Sequence, residues 1–346
     1  MVRKVKKKKS VINLFVTFPL MVVIVVLVYN SVVTTGNQPI FKKEYDDRAA
    51  SVPSLKIEPD PSVSISSDKL KSPNAILIRL TDDTILMQKN SEEKIYPASL
   101  TKMMTAIVAI ENLPDLKEEI KLTNSTFQGL YEADASLAGF QPGEQIKAID
   151  LLYGVLLPSG AECCVALADR IAGSEQNFVK IMNQKAADLG MANTRFENAT
   201  GLHDGNHYTT VKDLAILLSY ALQNDTFREI YTSSRHSTQP TNKQASFSSN
   251  SSSLRIRPST PPASKHPGGI TFYNTLFEEL GNQNIVGGEI LGGKTGYTAE
   301  AGLCLASLAK VDKQEYILIS AGAKGDPYTE QYNITDALAV YNSIRK

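Results

Sequence analysis

The stretch YPASLTKMMTAIVAI, Tyr96 to Ile110, places Ser99 and Lys102 three residues apart on a segment that is otherwise mostly apolar. From Leu100 onward, Leu100, Met103, Met104, Ala106, Ile107, Val108, Ala109 and Ile110 cover nearly every face of a helix, the pattern of a helix buried in a core. Pro97 just ahead of Ser99 suits a helix start. Residues three apart share one helical surface, so Ser99 Oγ and Lys102 Nζ can meet. A lysine committed to such a place needs a chemical reason, because burying an unpaired ammonium is strongly unfavourable.

Outward from this helix the chain alternates strand and helix signals. NAILIRLTDDTILMQKN, Asn74 to Asn90, has two apolar runs, Ala75 to Leu80 and Thr84 to Met87, around Asp82 and Asp83, and reads as a β-hairpin. The middle of the chain is mainly helical. SEQNFVKIMNQKAADLG sets Phe178, Ile181, Met182, Ala186 and Leu189 on one face with Gly190 as a stop. TTVKDLAILLSYAL opens on a Thr210 to Asp213 capping pattern. AGLCLASLAK and QEYILISAGAKG flank Val311, Asp312 and Lys313 as a second hairpin, and EQYNITDALAVYNSIR reads as a closing helix. Strands from both chain ends predict one antiparallel sheet packed against the helical middle, an α+β fold.

The 36 basic and 36 acidic residues balance, but Arg3, Lys4 and Lys6 to Lys9 crowd the amino end and leave the remainder mildly acidic, which does not point to nucleic acid. Val11 to Tyr29 follows, nineteen residues without charge, close to the roughly 20 needed to span a bilayer. A cleaved signal peptide is the competing reading. The apolar run is long for one, and NSVVTTGNQ offers no clear small-x-small cleavage site, so an uncleaved anchor with a cytoplasmic basic flank is preferred. The expected organisation is tail and anchor over 1–30, a flexible stem over 31–73 and a catalytic domain over 74–346. Within that domain, 233–269 is rich in Ser, Pro, Asn and Gln and reads as a surface excursion, with His236 and His266 solvated. Three cysteines, Cys163, Cys164 and Cys304, fit no disulfide framework and read as small buried side chains, with a Cys304 bond to one of the pair left open. His203 and His207 lack the glutamate of a His-Glu-x-x-His site, and Gly205 and Asn206 favour a turn there, so no metal is expected.

A serine and a lysine near the start of a buried helix suit a nucleophile with its own base: burial moves lysine toward its neutral, proton-accepting form. Ser-x-x-Lys alone is weak. Two further elements follow in order, LLPSGAE (Leu156 to Glu162), with Ser159 in a loop broken by Pro158 and Gly160, and GGKTGYT (Gly292 to Thr298), ahead of a strand. Ser-x-x-Lys, a Ser-Gly loop and Lys-Thr-Gly form the motif set of the penicillin-recognising serine enzymes. With YPASLTKMMTA, LLYGVLLPSGAE, MANTRFENATGLHDGNHYTTVKDLA and GGKTGYT in sequence, the chain resembles the D-alanyl-D-alanine carboxypeptidases, low-molecular-mass penicillin-binding proteins of peptidase family S11, over about Ala75 to Arg345.

The resemblance implies a β-lactamase/DD-peptidase-like fold and removal of the terminal D-alanine from peptidoglycan stem pentapeptides. On it, Ser99 is the nucleophile, Lys102 its base, and Ser159 a proton link toward the leaving D-alanine. Lys294 and Thr295 would hold the substrate carboxylate, Gly296 would allow close approach, and the N–H groups of Ser99 and Tyr297 would form the oxyanion hole. No cofactor is implied; β-lactams are expected as covalent inhibitors, and the amino-terminal anchor would set the enzyme outside the membrane of a Gram-positive cell. One departure stands out. The family's middle motif is usually Ser-x-Asn, but here the third position is Ala161, which has no hydrogen-bonding side chain, followed by Glu162 as a candidate substitute. A second is the carboxy end, where many relatives add a β-rich domain and a membrane helix after the catalytic domain. The alternatives are a D,D-endopeptidase, a β-lactamase of the same fold, for which no Glu-x-x-x-Asn stretch is found between the second and third motifs, and a non-catalytic penicillin-binding sensor.

Overall fold

A computed structural model describes residues 66–240 and 268–344. In chain order the elements are β1 (Asn74–Arg79), β2 (Thr84–Lys89), α1 (Thr101–Asn112), β3 (Glu119–Lys121), β4 (Gln145–Lys147), α2 (Ala148–Leu156), α3 (Ala161–Ala172), α4 (Glu175–Asp188), α5 (Val211–Ala221) and α6 (Asp225–Thr232). There follow β5 (Arg235–Ser237), β6 (Thr271–Tyr273), α7 (Thr275–Leu280), β7 (Asn284–Ile285), β8 (Gly288–Thr298), β9 (Gly302–Val311), β10 (Gln314–Ala323) and α8 (Tyr332–Ser343).

Both predicted hairpins are present, and they join in one antiparallel sheet of order β2-β1-β10-β9-β8-β7. β1 pairs with β10 in unbroken register, Ile76 opposite Ile319 and Ile78 opposite Ile317, so the two chain ends meet in the middle of the sheet. Side chains alternate across a strand. Ile76, Ile78, Ile317 and Ile319 therefore enter the large core shared with the helical middle, while Ala75, Leu77, Tyr316 and Leu318 enter a smaller core under α8. The result is a sheet covered on both faces, with α8 as the second cover, in the α+β class that the pattern predicts.

α1 is the buried helix of the opening motif: every residue from Thr101 to Ala109 is buried. The Thr210 cap accepts the Asp213 N–H as its sequence suggests. The three cysteines are buried and unbonded to one another, which closes the open disulfide question.

Three boundaries move. The packed chain begins ahead of Asn74, because the N–H groups of Lys71 and Ser72 donate to the Asp336 carboxylate of α8 at 2.9 and 2.7 Å, and Leu70 and Ser72 are buried. The surface excursion is narrower than its composition suggests. β5 and β6 pair from Arg235–Tyr273 to Ser237–Thr271, and Thr238 N–H donates to Ile270 O. His236 is accordingly not solvated: its ring stacks on Tyr153 with centroids 3.7 Å apart, and Nε2 lies 2.6 Å from Asp150 Oδ1. The third motif precedes β9 as expected, but it also lies within a strand itself, the carboxy half of β8, where its glycines serve close packing. Val11 to Tyr29 and His266 lie outside the described residues, and among the described residues no helix is long and apolar enough to cross a membrane.

Candidate active site

The start of α1, the loop of 200–203, the segment 133–136, Ala161 and the β8 end Tyr297–Glu300 surround a cleft of about 320 Å³. Ser99 and Lys102 line it. Lys102 Nζ donates to Ser99 Oγ at 2.9 Å and to the Thr200 carbonyl at 2.6 Å. Lys102 is 2% exposed, and burial holds its ammonium below the usual lysine range, although Cys164 and Glu162 oppose that shift. The adjacent thiols are not rival nucleophiles, since burial pushes both up, Cys164 to about 12.

Backbone strain marks the site. Among the described residues six non-glycine residues adopt the left-handed region, and Asp83, Asn90, Asp134 and Asp312 are of the types that tolerate it. The other two are Ala98, at φ 46° immediately before Ser99, and Ser159, at φ 67°. Such strain persists where surrounding structure enforces it, and it clusters at functional sites. At Ala98 the enforcement is visible. Gly201 packs so closely that a Cβ there would come within 1.9 Å of Ala98 O, and a Cβ on Gly296 would sit 3.1 Å from Ser99 N. The first and third motifs thus meet backbone to backbone at Ser99, with Tyr297 next along β8 and lining the cleft.

The remaining candidates are less exposed to the cleft. Lys294 is fully buried, its Nζ donating to Thr295 O at 2.8 Å, and burial together with nearby Lys102 holds it well below the usual lysine range. The Thr295 hydroxyl is 2.7 Å from that of Thr275. Ser159 Oγ is buried with no hydrogen-bond partner among the described residues, and so is Glu162 Oε2. Glu162 Oε1 accepts the Gly139 N–H at 3.0 Å, so the carboxyl faces the 138–140 backbone rather than bonding Ser99 or Lys102, and burial raises its pKa. Ala161 presents only its methyl and backbone to the cleft, and its N–H donates to Ser136 O at 2.8 Å.

The sequence reading missed the loop after Phe196. Asn198 Oδ1 accepts from Thr200 N, Thr200 Oγ1 and Gly201 N, and Asn198 Nδ2 donates to Leu202 O. His207 is buried beneath the first motif: its Nδ1 accepts the Glu197 N–H at 3.3 Å, which places the proton on Nε2, 2.9 Å from Thr101 Oγ1. Burial lowers it to about 4, so it is neutral.

The model of the D-alanyl-D-alanine carboxypeptidase family, peptidase family S11, matches residues 61–258. The chain belongs to this family. That match takes in the first two motifs of the S11 chain and ends before the third. Among relatives, the D-alanyl-D-alanine carboxypeptidase DacF of Bacillus subtilis is 32% identical over 254 residues, 72% of this chain and 57% of that protein. DacA of Escherichia coli K12 is 35% identical over 153 residues, 41% of this chain and 37% of its own. The S11 chain thus spans about half, or less, of the length of these relatives. The Streptomyces K15 DD-transpeptidase superposes with a TM-score of 0.66 over 81% of this chain and 98% of its own at 24% identity. A D-alanyl-D-alanine carboxypeptidase of Mycobacterium tuberculosis does so at 0.65, over 83% and 95%, at 23% identity. The fold is the β-lactamase-like fold of the DD-peptidases.

Proposed function

We propose that this S11 chain is a serine-type D-Ala-D-Ala carboxypeptidase that removes the terminal D-alanine from peptidoglycan stem pentapeptides. The observation that carries the reading is the 2.9 Å contact between Ser99 Oγ and a buried Lys102, which burial shifts toward its neutral form. In this scheme Ser99 Oγ attacks the carbonyl of the penultimate D-alanine as its proton passes to Lys102 Nζ. The resulting oxyanion is met by the N–H groups of Ser99 and Tyr297, a contribution worth about 10²–10³ in rate per donor in serine hydrolases. The C–N bond then breaks, D-alanine leaves with a proton routed through Ser159, and water hydrolyses the Ser99 ester. Lys294 and Thr295 take the substrate carboxylate, and Gly296 keeps the strand close to the nucleophile. β-Lactams would acylate Ser99 by the same attack. No step calls for a metal or an organic cofactor.

Ala161 and Glu162 fit a site in which the middle motif lacks its amide and Glu162 serves the wall behind the cleft. The Val11 to Tyr29 segment and its basic flank support a single-pass anchor with the domain outside the membrane of a Gram-positive cell, where the stem peptides are. The test is mass spectrometry of the full chain in detergent after benzylpenicillin, and separately after diacetyl-Lys-D-Ala-D-Ala. A penicilloyl adduct on Ser99 with release of free D-alanine is expected. An adduct without D-alanine release would leave a sensor or an endopeptidase, and no adduct would overturn the assignment of Ser99.

A further inference from the structure

Nothing in that scheme uses Asn198, yet its amide is the hub of the loop that faces Lys102. We propose that Asn198 is a positioning residue for Lys102, acting through the peptide group that joins Thr200 to Gly201. This rests on Lys102 being the base for Ser99.

A neutral lysine amine has two N–H donors and one lone pair. The Thr200 carbonyl, 2.6 Å from Nζ, can only accept, so it takes one N–H. With that bond made, the lone pair is free to turn toward Ser99 Oγ, 2.9 Å away, where the proton has to be received. The orientation of the Thr200 carbonyl therefore sets the aim of the base. The other end of the same peptide group is Gly201 N–H, which donates to Asn198 Oδ1 at 2.7 Å. One planar group is gripped at both ends, by the amide on one side and the lysine on the other, and hydrogen bonds in series polarise one another.

Asn198 holds this peptide firmly. Oδ1 also accepts from Thr200 N at 3.2 Å and Thr200 Oγ1 at 3.1 Å, while Nδ2 donates to Leu202 O at 2.9 Å, which fixes the direction of the amide. The segment from Phe196 to Asn206 has no helix or strand to do this work. The same peptide also abuts the nucleophile's turn, since Gly201, at φ 81°, packs against Ala98 O. Asn198 thus touches neither Ser99 nor Lys102 but sets the group that orients one and packs on the turn before the other.

The experiment measures benzylpenicillin acylation of the full chain by rapid quench and mass spectrometry between pH 6 and 10. It separates the acylation rate constant from initial non-covalent binding and pairs each variant with a melting temperature. Asn198→Ala is expected to lower the rate constant about 10²-fold, the scale of an ångström-sized misplacement, with non-covalent binding little changed. Thr105→Val removes a different bond to the same loop, Thr105 Oγ1 to Ala199 O at 2.7 Å, and should lower the melting temperature without that loss of rate. Asn198→Asp keeps the acceptor and adds a negative charge at the far end of the relay. Its acylation profile should shift to higher pH, because the charge favours the Lys102 ammonium. A native rate constant in Asn198→Ala, an equal loss of rate in Thr105→Val, or an unmoved profile in Asn198→Asp would each overturn the proposal. Should Asn198→Ala fail to fold, the Asn198→Asp profile decides. If the native chain is not acylated at all, it is the assignment of Ser99 and Lys102 that fails, and the role of Asn198 with it.

Discussion

Ser99 and Ser159 follow the same rule of strained backbone and end in opposite states. Ser99 follows left-handed Ala98 and meets Lys102, which in turn meets Thr200, so the polar atoms at the first motif are satisfied. Ser159 is itself left-handed, and its hydroxyl is buried without a partner among the described residues, as is one oxygen of nearby Glu162. Leaving a buried polar group unmade is expensive, about 1–3 kcal/mol each. The first wall of the site is complete without substrate. The second holds unmet hydrogen-bonding capacity at two groups that do not line the cleft.

The sharpest way to break this comparison is Lys102→Ala. Loss of the base should slow penicillin acylation by about 10²–10⁴-fold while circular dichroism stays native; acylation at the native rate would remove Lys102 from the chemistry. Next comes the support under the first wall. His207 is held near 4 by burial against an ordinary value of 6.5. Between those values the unfolded chain binds the proton and the folded one does not. Its contribution, about 3 kcal/mol, is therefore intact above pH 6.5 and lost as pH falls through 4. Denaturant midpoints from pH 7 to pH 4 should fall in the native chain and fall less in His207→Gln.

On the second wall the effects are smaller and reversed in sign. Ser159→Ala removes a partnerless hydroxyl and should raise stability by about 1 kcal/mol while slowing D-alanine release; a loss of stability would show that the hydroxyl is partnered. Glu162 has its pKa raised by burial, so the folded state holds its proton longer, and its share of stability declines as pH rises above the ordinary carboxyl value of 4.5. Glu162→Gln should flatten that decline, measured as unfolding midpoints between pH 5 and 8.

Much of this was legible because it is local. The apolar runs of β1, β2, β9 and β10, and the nearly all-apolar surface of α1, write the sheet and its neighbours into the chain. Ser99 and Lys102 were legible because helical spacing turns sequence distance into contact. Asn198 was not, because its contacts are made within an irregular loop, where spacing implies no direction. The φ values of Ala98 and Ser159 were hidden for a related reason: neither residue type signals a left-handed turn, and neighbours impose it. Lys-Thr-Gly was rightly read as preceding β9, but its own place in β8 was not legible because glycines weaken strand signals, whereas here they let β8 press against α7 and the Ser99 turn. His236 was misjudged from the polarity of its neighbours, although tertiary packing on Tyr153 decides its place.

The β5–β6 pairing has a consequence for how this chain can change. The segment between Thr238 and Ile270 leaves and re-enters at positions joined by Thr238 N–H to Ile270 O and Ile270 N–H to Thr238 Oγ1, both at 2.9 Å. Between ends held this close, the closure cost of an inserted linker grows only logarithmically with its length, about 0.6 kcal/mol per doubling. The pair acts as a socket, its two ends held together independently of the sheet that carries Lys294. It is the natural place to graft a reporter or a wall-binding peptide onto the fold.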